Sequence, residues 1–282
     1  MKGIRASVRS CLEEDGGELW WPGLAPQLVR QRRRRFSFDP DRYSTSRFLG
    51  DMEPKRRFPI ASKAATGDLT LRLEFADPSL VARMSGTGLS LVEDHDVSQM
   101  AQQSISRALL LIQLVPTLAA TVNALVQSAH VLRSADPDMD VSHSDPAIPF
   151  SIFLSISEGN FADLRIAEAI IHEAMHLQLS LVEELVPLVA DDGVKFHSPW
   201  KHEDRPASGV LHALYVFRTV AQWLERVSKE TANVQYVAQR NAQIEEEMSA
   251  LDLQGLSLSL TSEGKRLLER LVPHLPIARL GA

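Results

Sequence analysis

Phe161-Ala-Asp-Leu-Arg-Ile-Ala-Glu-Ala-Ile-Ile-His172-Glu-Ala-Met-His176-Leu-Gln-Leu-Ser-Leu-Val-Glu-Glu-Leu-Val186 runs without glycine or proline until Pro187. It reads as one helix that the proline ends. Residues four apart share a helix face, one turn above the other, so His172 and His176 can aim their imidazoles at a single ion. Glu173 sits at the edge of that face, within reach of whatever the ion binds. Ala167, Ala169, Ile170, Ile171, Ala174, Met175 and Leu177 surround the motif, which predicts a largely buried helix. Two histidines and a glutamate in apolar surroundings need partners, because burying unpaired polar groups is costly. A metal supplies them. A catalytic metal needs a third protein ligand and open positions.

The residues downstream narrow that third ligand. The extended motif of one metallopeptidase class requires Gly at 179 and His at 182; Leu179 and Val182 exclude it. A thermolysin-like site takes Glu from a later helix, usually with Asp four residues on. Glu183, Glu184, Glu203 and Glu225 are available, and none has that Asp. The later histidines are His197, His202, His212 and His274. His197 and His202 fall in a polar stretch. His212 stands in the apolar run Gly209-Val-Leu-His-Ala-Leu-Tyr-Val-Phe217, a second helix, and is the favoured third ligand. Three neutral imidazoles suit zinc or iron.

From His172 to Val227 the chain resembles the HExxH-type Fe(II)/2-oxoglutarate-dependent peptide beta-hydroxylases. These act in the biosynthesis of ribosomally made, post-translationally modified peptides. The resemblance rests on His172-Glu-Ala-Met-His176, Ser198-Pro-Trp200, Asp204-Arg-Pro206 and Gly209-Val-Leu-His212-Ala-Leu-Tyr-Val-Phe217. The apolar run Ile148–Ser157 before the motif also fits, and about the middle third of the chain is covered. It implies Fe(II), 2-oxoglutarate and O2, with hydroxylation of a peptide side chain at its beta carbon. Three facial ligands leave three adjacent positions on an octahedral iron, two for the keto acid and one for O2. The distal carboxylate of the cosubstrate then wants a cation. Arg205 is the best candidate, because a guanidinium grips carboxylate bidentately; Lys201 and Arg218 are alternatives. Trp200 and Tyr215 either wall the pocket or pack in the core. Glu168, one turn before His172, is placed to orient that imidazole. Glu173 would hydrogen-bond a ligand or the substrate in an oxygenase. In a zinc-dependent metallopeptidase, the alternative, it would be the general base.

Away from the motif, the chain is an ordinary globular one. It has 282 residues, 44% hydrophobic and 23% charged, with net charge -6, which gives no general affinity for nucleic acid. One cysteine, Cys11, leaves no intramolecular disulfide and suits a reducing cytoplasm. Neither a secretory signal nor a membrane-spanning run is legible. The first sixty residues carry 13 Lys/Arg against 8 Asp/Glu, and the rest 17 against 28. Residues 1–65 therefore read as a basic segment, densest at Arg30, Arg32, Arg33, Arg34 and Arg35. It is either a solvated surface or a binder of an acidic partner or leader peptide. Residues 66–282 read as the metal-dependent catalytic domain.

Leu69–Phe75 alternates like a half-buried strand that Asp77-Pro78 ends. Ser98–Arg133 has helical spacing, divided by Pro116 and closed by Asp136-Pro137. Ile148–Ile156 is a short strand, expected at a sheet edge where a peptide substrate could pair. Asp191–Pro206 reads as a loop. Gly209–Ser228 and Glu230–Leu251 are helical, and Thr261 caps a last amphipathic helix. The fold expected is mainly α with a small β-sheet (α+β), with a zincin-like placing of the HExxH helix and a following ligand-bearing helix.

Overall fold

The computed structural model describes residues 2–14, 17–36, 57–64, 67–74, 78–92, 97–134, 140–145, 148, 150–190, 193–229 and 234–272. Phe75, Asp77, Asp136, Pro137, Asp191, Glu230 and His274 lie outside these. The fold is mainly helical with a small sheet, as the sequence predicts. It divides into two compact units, one of residues 25–178 and one of residues 1–24 with 179–282. The charge step near residue 65 matches neither boundary.

The unit of residues 25–178 is built on a five-stranded sheet in the order β1-β2-β3-β5-β4. Strands β1 (Arg57–Ala64) and β2 (Gly67–Glu74) form an antiparallel hairpin. In β2, Leu69, Leu71 and Leu73 are buried and Thr70 is exposed, the period-two pattern expected of a strand with one covered face. Helix α2 (Ala25–Phe36) packs on α5 (Pro116–Leu125), and α4 (Val97–Gln113) lies along β1 and β2. Pro116 is the first residue of α5, where its missing N–H costs nothing, so it divides the long helical run.

Two expectations fail here. The end of the predicted Ser98–Arg133 helix is strand β3 (Ser128–Val131), all four residues buried. A central strand covered on both faces loses the alternation that would mark it. The expected edge strand is β5 (Ser151–Leu154), and it is interior: β3 pairs parallel on one side and β4 (Ser142–His143) antiparallel on the other. Phe150, with φ of 66°, delays the start of β5. Leu80 and Met84 of α3 (Pro78–Gly86) pack with Leu132, Ile148 and Phe153. The motif helix, α6, spans Ala162–Glu183.

The other unit centres on α7 (Ala207–Val227), with α1 (Lys2–Glu13), α8 (Val234–Ser249), α9 (Leu253–Leu258) and α10 (Ser262–Leu271). Residues 195–206, read as loop, contain a hairpin of β6 (Lys195–Ser198) and β7 (Glu203–Pro206). The N-terminal tryptophans are part of this core. Trp21 stacks on Tyr215 with centroids 5.3 Å apart, and the Tyr215 hydroxyl donates to the Leu19 carbonyl at 2.9 Å. Arg226 lies over the Trp20 ring and pairs with Glu18. Thr261 caps α10 as expected, its Oγ1 accepting from the Gly264 N–H at 3.1 Å. A Cβ on Gly264 would collide with the Leu188 carbonyl, whose carbon would lie 2.9 Å away. Gly264→Ala is therefore expected to cost about 1–3 kcal/mol, read as a lowered urea midpoint at unchanged slope.

Candidate metal centre

Helix α6 carries one partly exposed stripe. Arg165, Ala169, His172 and His176 lie on it, while Ile166, Ile170, Ile171, Ala174 and Met175 between them are buried. The apolar positions hold the helix in place, and the stripe leaves the two imidazoles reachable.

The Nε2 atoms of His172 and His176 are 3.1 Å apart, and their rings are inclined at 69°. Two nitrogens each about 2.0–2.1 Å from one ion, opened by a tetrahedral to octahedral angle, must stand about 2.9–3.4 Å apart. The pair fits that span. Among the described residues no group of three or more His, Cys, Asp or Glu is gathered for an ion. The spacing of the two imidazoles is what makes them candidate ligands.

Glu173 is 3% exposed. Its Oε1 lies 4.0 Å from His172 Nε2 and accepts a 2.6 Å hydrogen bond from the Ser142 hydroxyl. That distance is too long for Oε1 and Nε2 to be neighbouring ligands of one ion and short enough for the carboxylate to meet a bound molecule. Glu168 is buried one turn before His172.

The segment of Ser142 is tied down at each residue. Asp140 accepts from Arg165 Nε of α6 and from the Ser157 hydroxyl, both at 2.6 Å. Val141 exchanges bonds with Ser155, its N–H donating to Ser155 Oγ and its carbonyl accepting from the Ser155 N–H. His143 pairs with Phe153 in the sheet register. Sequence reading missed Ser142, which is 31 residues from its partner. The only local signal was the short polar–apolar alternation Asp140-Val141-Ser142.

His212 lies on α7, in the other unit. Its Nε2 is 2.9 Å from Glu183 Oε2. A carboxylate on one imidazole nitrogen fixes the tautomer and leaves the other nitrogen to act, the usual arrangement behind a metal-bound histidine. From sequence alone Glu183 is a candidate only for the ligand role. Arg205, on β7, pairs with Glu203 at 3.2 Å and lies against Gly209 at the start of α7. Arg218 pairs with Glu245 at 2.7 Å, and Tyr215 is fully buried as a core residue. Trp200 stacks on Phe217 with centroids 5.1 Å apart. His197 is exposed and stands 3.7 Å from Asp204.

Other features offer weaker chemistry. A cleft of about 480 Å³ is lined by Glu13, Glu14, Arg218, Gln222, Arg266 and Arg270, and contains neither the motif nor Arg205. Burial pushes the Cys11 thiol above its ordinary range, so it is a poor nucleophile at neutral pH. Among the described residues no helix is long and apolar enough to cross a membrane. No protein-family model matches the chain, and no curated protein matches its sequence.

Proposed function

We propose that the chain is an Fe(II)- and 2-oxoglutarate-dependent hydroxylase acting on the beta carbon of a side chain in a ribosomally made peptide. The convergence of His172 and His176 Nε2 at 3.1 Å carries the metal part of this reading. The sequence resemblance carries the rest. His172 and His176 hold the ion. His212 is the third ligand by the sequence reading alone, with Glu183 orienting its ring. Glu168, buried one turn before His172, is proposed to orient that imidazole. When bound, iron with the keto acid supplies the oxidation: one oxygen atom of O2 enters the peptide C–H bond, and the other leaves in succinate as CO2 is released.

Arg205 is proposed to bind the distal carboxylate of 2-oxoglutarate, exchanging its present partner Glu203 for the stronger, fixed one. An ionic hydrogen bond of about 1.5–3 kcal/mol is at stake, so Arg205→Ala should weaken 2-oxoglutarate binding by about 10–100-fold. Anaerobic titration of the Fe(II)-loaded protein with the keto acid checks this. An unchanged affinity would remove Arg205 from the site.

One observation favours a second reading. Glu173 is a buried carboxylate fixed beside His172, as the general base of a zinc-dependent metallopeptidase would be. The two chemistries separate in one assay pair. The hydroxylase forms succinate from 2-oxoglutarate only with Fe(II) and O2, and loses this in His176→Ala. The peptidase cleaves denatured casein after chelation and Zn2+ reloading, with no need of O2. Zinc-restored cleavage without succinate would replace the first reading with the second.

A further inference from the structure

We propose that Ser142 is a positioning residue that keeps the Glu173 carboxylate beside the metal centre and out of its ligand set; this rests on the reading of His172 and His176 as metal ligands. Glu173 follows His172 directly, and a flexible carboxylate there would compete for any ion the imidazoles hold. Its Oε1 instead takes the 2.6 Å bond from Ser142 and stays 4.0 Å from His172 Nε2. Adjacent ligands of one ion stand about 2.9–3.4 Å apart, so the bond holds Oε1 outside adjacent-ligand distance of His172 Nε2.

The backbone around Ser142 suits such a task. Alternation along the strand sends Asp140 and Ser142 to one face and Val141 and His143 to the other. Asp140 and Ser142 each grip α6, at Arg165 and at Glu173. Val141 packs with the Leu80 and Met84 cluster, and His143 stands against Phe153 with ring centroids 6.1 Å apart. Ser142 is thus fixed from both faces of the sheet, and its hydroxyl is a fixed donor. Glu173 is 97% covered, so water has little room to replace it. A positioned carboxylate just outside the ligands can orient a substrate group, whereas a ligating one would take a position that chemistry needs.

The test uses Co(II) as an optical probe in the full chain, with Ser142→Ala, Ser142→Thr and Ser142→Cys. Wild type and Ser142→Thr should share one visible d–d spectrum. Ser142→Ala, and Ser142→Cys with its weak donor, should show a shifted spectrum and bind Co(II) more tightly by about tenfold or more, the added carboxylate ligand being partly offset by the bound water it displaces. Succinate formation should fall about tenfold or more in the same two variants and stay near wild type in Ser142→Thr. A merely structural role would lower Tm and leave the spectrum of the folded fraction unchanged. Identical spectra and affinities in wild type, Ser142→Ala and Ser142→Cys would overturn the proposal while leaving the metal centre intact. If wild type and His176→Ala bind Co(II) alike, the metal centre itself fails, and this inference with it.

Discussion

His172→Ala and His176→Ala should each lower Fe(II) or Co(II) affinity by a few hundredfold to about a thousandfold. Structural zinc sites with four ligands bind with about 10–16 kcal/mol, or about 2.5–4 kcal/mol for each ligand, and a loss toward the upper part of that range gives this factor. The protein should remain folded. Both imidazoles lie on the partly exposed stripe of α6, and the apolar face that holds the helix is untouched. Equilibrium dialysis against Fe(II) under nitrogen, with Tm recorded for each variant, checks both halves. Equal loss in the two variants is expected, because each supplies one of two converging nitrogens. Loss in one alone would turn the pair into an ordinary histidine contact.

His212→Ala should cost a similar factor, and Glu183→Gln a smaller one of about 10–100-fold, the usual effect of removing a carboxylate behind a ligating imidazole. The ranking matters more than either number. If Glu183→Gln costs the metal as much as His212→Ala, Glu183 is itself a ligand and the pair exchanges roles. If neither changes affinity, the 2.9 Å bond between them only ties α7 to the end of α6, and the third ligand lies elsewhere. Isothermal titration with Co(II) distinguishes these outcomes.

The motif helix was legible because its information is local. A run free of glycine and proline, with histidines one turn apart, fixes both the element and the face. The same holds for α7, for the Pro116 division and for the Thr261 cap, where a single residue type at one position has a strong backbone consequence. The sheet was less legible. Strand β3 is buried on both faces and four residues long, so nothing in Ser128-Ala-His-Val131 separates it from the helix before it. Strand β4 is two residues long and exists by pairing with β5.

The long-range contacts of the candidate residues were hidden for the same reason. Ser142 reaches Glu173 across 31 residues, and His212 reaches Glu183 across 29. Such pairs are set by how elements pack, which one sequence does not record. Within the basic N-terminal segment, Trp20-Trp21 reads as a packing anchor, and both rings are buried, Trp21 stacked on Tyr215 and Trp20 beneath Arg226. Charge describes the surface of α1, and two adjacent aromatics decide where it packs.

The most direct test of the metal centre is an anaerobic optical titration of wild-type protein with Fe(II) in the presence of 2-oxoglutarate. A visible metal-to-ligand charge-transfer band that saturates at one equivalent of iron, and is absent in His176→Ala, is the expected result. No retained iron and no band in wild type would contradict it.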